Sequence, residues 1–302
     1  MKKSWMIFMI VLFGPVIPAR AETIHVLTTT ADLKSIAEYI GGNRVSVDSL
    51  GKGNENYHFL AAKPSYMLKA KKADLFIISG LDLEIGYESL ILEGSRNPGI
   101  QAGRPGYLDA SAGIRPLEVP ARVDRSLGDI HPKGNPHYWL DPLNAKIIAS
   151  TIAGRLSEIS PESAAFFQDN LEKFNREIDE RMEIWMKALA PYQGEKLISF
   201  HLSWTYFADR FGLEVAGELE PKPGVPPSPA HLKEVVDLVK KNNVRIILNE
   251  NIYREDAARY VADRTGARVV TAPISVGGER DVNDYFSLMD KIVRNVSGGF
   301  ER

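Results

Sequence analysis

The sequence predicts an α/β fold of two lobes, each a mainly parallel sheet with helices on both faces, joined by one long rigid helix. Two observations lead to this prediction. Short apolar runs alternate with helix-like segments in both halves of the 302-residue chain, which is the pattern of parallel strands connected by helices. Between the halves, from Ser160 onward, lies an amphipathic stretch long enough to run along both lobes.

The first residues have the order of a secretory signal peptide. Residues 1–3 are Met-Lys-Lys, residues 5–17 are apolar and residues 19–21 are Ala-Arg-Ala, so a basic start, an apolar centre and a small-residue end follow one another. We therefore predict that residues 1–21 are a cleaved signal peptide. The chain contains no cysteine and so has neither a lipid-attachment site nor a disulfide framework. We expect a periplasmic product that is not lipid-anchored.

The charge balance argues against a nucleic-acid-binding surface. The chain has 37 lysine and arginine residues against 39 aspartate and glutamate residues, and the predicted signal peptide contains only basic ones. The remainder is mildly acidic, whereas nucleic acid requires a concentrated basic face. Its length suggests two domains: an N-terminal lobe over residues 22–159, a linking helix over residues 160–190 and a C-terminal lobe over residues 191–302.

The first lobe begins with alternating strand and helix signals. Residues 24–28 are a short apolar run typical of a buried strand, and Thr30 is the N-cap of a helix that ends at the glycines 41–42. Residues 45–50 alternate like a strand, and residues 75–79 form a third apolar run. This order predicts a parallel sheet.

The linking helix is predicted from its cap and its periodicity. Ser160 is a good N-cap and Pro161 occupies the first helical position. The apolar side chains then recur every three or four residues, which predicts one buried face; they are Phe167, Leu171, Phe174, Ile178, Met182, Trp185 and Leu189. The helix should end near Leu189.

The second lobe repeats the same alternation. Its predicted strands and helices are residues 196–200, 204–211, 244–249, 256–265 and 268–271. Residues 218–229 contain five prolines and are predicted to form an irregular loop, after which Ser228 and Pro229 open another helix.

Three of the six histidines follow predicted strands or precede a capped helix. His201 comes directly after the strand at residues 196–200, His58 lies in the loop after residues 45–50, and His137 stands just before a helix capped by Asp141. Ligands bind beyond the carboxyl ends of parallel strands, so all three could reach one cleft between the lobes. No local metal motif connects them, and a single histidine at such a position is more often structural. We assign structural roles to the others, His25, His131 and His231.

Four segments carry a resemblance to a known family. They are His58-Phe-Leu-Ala-Ala-Lys-Pro-Ser, Lys72-Ala-Asp-Leu-Phe-Ile-Ile-Ser-Gly, Asn135-Pro-His-Tyr-Trp-Leu-Asp-Pro and Ser199-Phe-His-Leu-Ser-Trp-Thr-Tyr-Phe-Ala. In this order, with the long helix before the last, they resemble the zinc and manganese solute-binding proteins of ABC transporters, the ZnuA/TroA group. The resemblance covers essentially the whole mature chain. It implies two α/β lobes with the metal in the cleft between them.

Carried over by position, the resemblance makes His58, His137 and His201 metal ligands. It implies a periplasmic, high-affinity zinc-binding receptor, monomeric and not an enzyme, that delivers Zn²⁺ as its transported ligand to an ABC importer permease. Imidazole nitrogens suit Zn²⁺, whereas manganese generally prefers more oxygen. Because an acidic residue often replaces the third histidine in manganese members, His201 favours zinc.

Three alternatives remain open at this stage. The protein could be a manganese-binding receptor of the same type. It could also be a three-histidine zinc hydrolase, in which a metal-bound water is activated. A module that binds a larger ligand, such as a small chelate, is the third.

The fourth metal ligand departs from the family pattern. Members usually place an aspartate after the strand that corresponds to residues 268–270, but residues 271–275 of this chain are Thr-Ala-Pro-Ile-Ser. Glu250, at the carboxyl end of the strand that begins at residue 244, is our first choice. Glu55, Asp281 or a water molecule are the others.

Overall fold

The computed structural model describes residues 23–122 and 131–301. The predicted signal peptide, residues 1–21, lies outside the described residues. The described part contains two four-stranded parallel sheets with helices packed on them, so the predicted fold class is confirmed.

The first sheet has the strand order β2-β1-β3-β4. Its strands are β1 (Ile24–Thr28), β2 (Val45–Ser49), β3 (Leu75–Ile78) and β4 (Tyr107–Asp109), and its helices are α1 (Ala31–Gly41), α2 (Pro64–Lys71), α3 (Glu88–Ser95) and α4 (Pro142–Ile159). Helix α1 begins because the Thr30 side chain accepts a hydrogen bond from the Leu33 N–H, as expected for an N-cap. It ends at Gly42, whose φ of 50° is disfavoured for residues with a Cβ atom.

Helix α5 (Ala164–Leu189) has 26 residues and connects the lobes. A single 3-10 turn at Pro161–Ser163 precedes it, so the α-helix starts slightly after the predicted cap. Its buried side chains are Phe167, Phe174, Ile178, Trp185 and Leu189, and Leu171 and Met182 are partly buried. The predicted apolar stripe therefore faces the core, where α5 packs against α1 and α4 of the first lobe.

The second sheet has the strand order β6-β5-β7-β8. Its strands are β5 (Lys196–Ser199), β6 (Glu214–Glu218), β7 (Ile246–Glu250) and β8 (Arg268–Ala272), and its helices are α6 (Thr205–Phe211), α7 (Pro229–Asn242), α8 (Asp256–Thr265) and α9 (Tyr285–Phe300). Helix α9 packs against α5 and also touches α1. The Trp185 indole N–H on α5 donates to Asp290 Oδ1 on α9 at 2.8 Å. The linking helix is thus held by both lobes.

Hydrogen bonds join the two lobes beside the cleft. The Trp139 indole N–H donates to the Ile274 carbonyl at 2.8 Å, and the Asp32 carboxylate accepts from the Val276 N–H at 2.9 Å. The hydroxyl of Tyr285 donates to the Trp139 carbonyl at 2.6 Å. These contacts are buried, so they fix the spacing of loops that carry the site. Within the described ranges, the structure contains no helix with the length and apolarity needed to span a membrane.

Candidate metal centre

The structure brings His58, His137 and His201 into one cluster. One nitrogen of each ring lies within 4.8 Å of the corresponding nitrogens of the other two. The ring centroids form a nearly equilateral triangle with sides of 5.1, 5.3 and 5.2 Å. A metal site of this kind needs at least three histidine, cysteine or acidic side chains close together. Within residues 23–122 and 131–301, His58, His137 and His201 form the one group that meets this condition.

His58 and His137 come from irregular segments of the first lobe. His58 lies in a 3-10 turn, Tyr57–Phe59, where the Asn56 side chain accepts its backbone N–H at 3.0 Å. His137 stands just before the turn that leads into α4, and Asn135 Oδ1 accepts its backbone N–H at 2.9 Å. In both cases an asparagine two residues earlier fixes the turn.

His201 comes from the second lobe, at the carboxyl end of the sheet. It follows β5 with one residue between, and its backbone N–H donates to Glu250 Oε1 at the end of the adjacent strand β7 at 3.2 Å. In the strand order β6-β5-β7-β8, the chain leaves β5 towards β6 on one side and leaves β7 towards β8 on the other. Such a point in a parallel sheet is where ligands bind.

Hydrogen bonds to the Nδ1 atoms decide which nitrogens face the centre of the cluster. His137 Nδ1 lies 2.9 Å from Asn135 Oδ1, and His201 Nδ1 lies 2.8 Å from Glu220 Oε2. Because both oxygens are acceptors, each Nδ1 carries a proton, and in the neutral ring the lone pair is then on Nε2. The cluster therefore presents Nε2 lone pairs to a common point.

The distance between two Nε2 atoms matches a shared cation. His58 Nε2 and His137 Nε2 are 3.1 Å apart. Two nitrogens at about 2.0–2.1 Å from a tetrahedral zinc ion would be about 3.3 Å apart. A distance of 3.1 Å fits a hydrogen bond donated by His58 Nε2 to His137 Nε2 and also fits a cation bound by both nitrogens.

Burial keeps two of the rings neutral. Burial, followed by the neighbouring charges of His201 and His131, lowers the pKa of His58 well below its usual range. Burial, followed by the charges of His58, His201 and His131, lowers the pKa of His137 in the same way. Neutral imidazole is the form that binds a metal, so neither ring has to lose a proton at neutral pH.

The acidic residues proposed from the sequence are not part of this cluster. Glu250 is fully buried and burial raises its pKa to about 7, but its carboxylate is not part of the three-histidine group. The Glu55 side chain accepts the Lys52 N–H at 2.9 Å, and Asp281 pairs with Lys291 at 3.0 Å on the surface.

Sequence reasoning missed three residues that contact the histidines. His131, given a structural role above, lies with its Nε2 3.1 Å from His58 Nδ1. Asn135 holds His137, and Glu220 holds His201. Asn135 was visible two residues before His137, and His131 six residues before it. Glu220 belongs to the proline-rich loop, where the sequence gives no sign of a contact with a histidine 19 positions away.

The cavity lined by all three histidines is very small. Its volume is about 10 Å³, and Tyr57, Trp139 and Tyr253 form part of its wall. A volume of this size corresponds to about one water-sized sphere. Small-molecule sites usually measure about 300–1,000 Å³. The space shared by all three histidines therefore fits a single ion.

A family model matches almost all of the described chain. The model, described as ZnuA, the periplasmic component A of a zinc-uptake complex, matches residues 26–299. This chain belongs to that family. The resemblance stated from the sequence is thereby confirmed.

Named relatives and a solved structure agree with this assignment. The high-affinity zinc uptake system protein ZnuA of Brucella abortus (strain 2308) is 29% identical over 166 residues, which cover 55% of this chain and 48% of that protein. The chain thus spans about half the length of this relative. The iron-binding protein YfeA of Yersinia pestis is 25% identical over 285 residues, or 93% of this chain and 87% of that protein. A crystal structure of ZnuA superposes with a TM-score of 0.79 at 25% identity and covers 93% of this chain and 100% of that one. These relatives are named as metal-binding proteins and not as enzymes.

Proposed function

We propose that this protein is a periplasmic, high-affinity zinc-binding receptor that delivers Zn²⁺ to the permease of an ABC importer. The observation that carries the proposal is the convergence of His58, His137 and His201 from two lobes on a cavity that fits one ion. The family description, a periplasmic component of zinc uptake, supports both the compartment and the metal.

The proposed ligands are the Nε2 atoms of His58, His137 and His201. A set of three neutral imidazoles suits Zn²⁺ better than Mn²⁺, which prefers oxygen. The same chemistry argues against the manganese receptor, although relatives such as YfeA are named for another metal. With one lobe at residues 22–159, the other at residues 191–302 and the linking helix between, a bound ion would hold the lobes in the form that the permease recognises.

Glu250 is our proposed fourth ligand. It is buried at the end of β7, directly behind the backbone of His201. A carboxylate that burial holds at a pKa of about 7 would ionise readily next to a dication, because an opposite charge favours the charged form. Binding through Glu250 requires its carboxylate to move towards the histidines, and a water molecule is the alternative ligand.

The receptor interpretation is preferred to the hydrolase. A three-histidine hydrolase needs room for both a water molecule and a substrate at the metal, whereas the cavity that touches all three histidines is about 10 Å³. We further propose that the exported protein is a monomer without a lipid anchor that binds no nucleic acid.

Calorimetric titration of the purified mature protein with zinc and with manganese tests this function. We expect one zinc ion per chain, bound more tightly than manganese, and loss of tight binding in His58→Ala, His137→Ala and His201→Ala. Glu250→Ala should weaken zinc binding if its carboxylate is the fourth ligand and leave it unchanged if water is. Tighter binding of manganese would replace zinc in the proposal, and zinc binding that survives all three histidine changes would refute the site.

A further inference from the structure

The three histidines differ in what holds their outer nitrogens. Asn135 offers a neutral amide oxygen to His137, and His131 offers an imidazole to His58. His201 instead faces the Glu220 carboxylate at 2.8 Å. We propose that Glu220 is a positioning residue that fixes the His201 ring and provides the negative charge that three neutral imidazoles lack. This inference rests on the proposed function of the site.

The Glu220 carboxylate is held in place by its own loop. Its backbone N–H donates to the Phe200 carbonyl at 3.0 Å, next to His201 in the chain. The Gly224 N–H donates to Glu220 Oε2 at 3.3 Å. Between these two contacts lie Pro221 and Pro223, which restrict the backbone of the loop. The carboxylate is therefore aimed at His201 before any metal arrives.

Burial gives this contact its electrostatic weight. The side chains of His201 and Glu220 are each 7% exposed. Water screens a charge poorly at such a position, so a carboxylate behind the ring attracts a dication in front of it. It also makes the imidazole a more basic ligand, as carboxylates behind zinc-bound histidines do. Glu250 contacts the backbone N–H of His201 and not the ring, so within the described residues Glu220 is the carboxylate with a hydrogen bond to a ring nitrogen of the cluster.

Charge and hydrogen bonding can be separated by substitution. Glu220→Gln keeps a side-chain oxygen that can accept the Nδ1 proton but removes the charge, whereas Glu220→Ala removes both. Glu218→Gln is the matched control. Glu218 is the last residue of β6, two positions before Glu220, and its charge interacts with His201, but its side chain has no hydrogen bond to the ring of His201.

The experiment measures zinc affinity by competition with a chromogenic chelator and the thermal midpoint of each metal-free variant. We expect Glu220→Gln to bind zinc about 10–100-fold more weakly with the midpoint of the parent, and Glu220→Ala to bind at least as weakly. Glu218→Gln should change the affinity by less than about 3-fold, as for a charge without direct contact.

Two results would overturn the role of Glu220. Parent affinity in Glu220→Gln would reduce the contact to a structural hydrogen bond, and an equal loss in Glu218→Gln would reduce it to the general acidity of the loop. Failure of the proposed function is distinguishable, because then the parent itself would not bind zinc or His201→Ala would bind it as the parent does.

Discussion

Replacement of Asn135 by alanine should weaken both the fold and the metal centre. Its Oδ1 atom accepts hydrogen bonds from the backbone N and from Nδ1 of His137, each at 2.9 Å. Its Nδ2 atom donates to the Leu202 carbonyl of the other lobe at 2.7 Å and to Glu118 at 2.8 Å. Alanine would leave the His137 ring, the His137 backbone N–H and the Leu202 carbonyl without these hydrogen bonds, and each buried polar group without a partner costs about 1–3 kcal/mol. Glu118 is exposed, so water can replace the amide there at little cost. We therefore expect the free energy of unfolding to fall by about 2–4 kcal/mol, and zinc affinity to fall about 10–100-fold because His137 loses the bond that fixes its tautomer.

Asn97→Ala is the matched control for this experiment. Asn97 also makes side-chain hydrogen bonds in both directions, to the carbonyls of Ala70 and Ala73 at 3.1 and 2.8 Å and from the Gly99 N–H at 3.0 Å. These bonds lie at the amino-terminal edge of the first sheet, away from the cleft. Thermal unfolding of the metal-free proteins and chelator competition for zinc should show a loss of stability in both variants and a loss of affinity in Asn135→Ala alone. Parent-like zinc affinity in Asn135→Ala, or an equal loss in Asn97→Ala, would refute this account of how His137 is held.

Three further predictions concern the core, the pH dependence of stability and the pH dependence of binding. Phe174→Ala, which removes a fully buried ring from α5, should lower the free energy of unfolding by about 3–5 kcal/mol in denaturant titration, whereas Ile184→Ala, 65% exposed on the same helix, should change it by less than about 0.5 kcal/mol. Burial raises the pKa of Asp32 from 3.8 to about 7. Between these two pKa values the folded state holds a proton that the unfolded state releases, so Asp32 should lower the free energy of unfolding by about 1.4 kcal/mol for each unit that the pH rises. Calorimetry at several pH values measures this dependence. Asp32→Asn should remove the contribution, and a pH dependence of stability that is unchanged in this variant would contradict the prediction. Because burial lowers the pKa values of His58 and His137 well below the ordinary histidine value of about 6.5, protons should compete with zinc at these two rings only at pH values below 6.5. Zinc titrations at a series of pH values should therefore show no loss of affinity from these rings as the pH falls to about 6.5, and an affinity already reduced at that pH would contradict their lowered pKa values.

The sequence predicted the regular elements well where pattern and caps were strong. Strand β1 and helix α8 have the predicted bounds. Strand β4 was missed because three residues are too few to show a pattern. Strand β6 was missed because its sequence, Glu-Val-Ala-Gly-Glu, is partly polar and lies at the edge of its sheet. Helix α9 was also missed, although the capping box of Asp284 and Ser287 is a signal for its start.

The site was predicted less completely, for a physical reason. The rule that ligands bind at strand ends, together with the family resemblance, selected three histidines that the structure brings together. The contacts behind them depend on how loops pack in three dimensions. His131 and His58 are 73 positions apart, and Glu220 reaches His201 only because the proline-rich loop folds back beside β5. No local spacing encodes such contacts.

The most direct test of the proposed centre is a crystal structure of the zinc-loaded protein with anomalous scattering measured at the zinc absorption edge. We expect one strong peak between the lobes, at about 2.0–2.1 Å from Nε2 of His58, His137 and His201. A zinc ion found elsewhere, or one bound through the Nδ1 atoms that Asn135 and Glu220 hold here, would contradict the account.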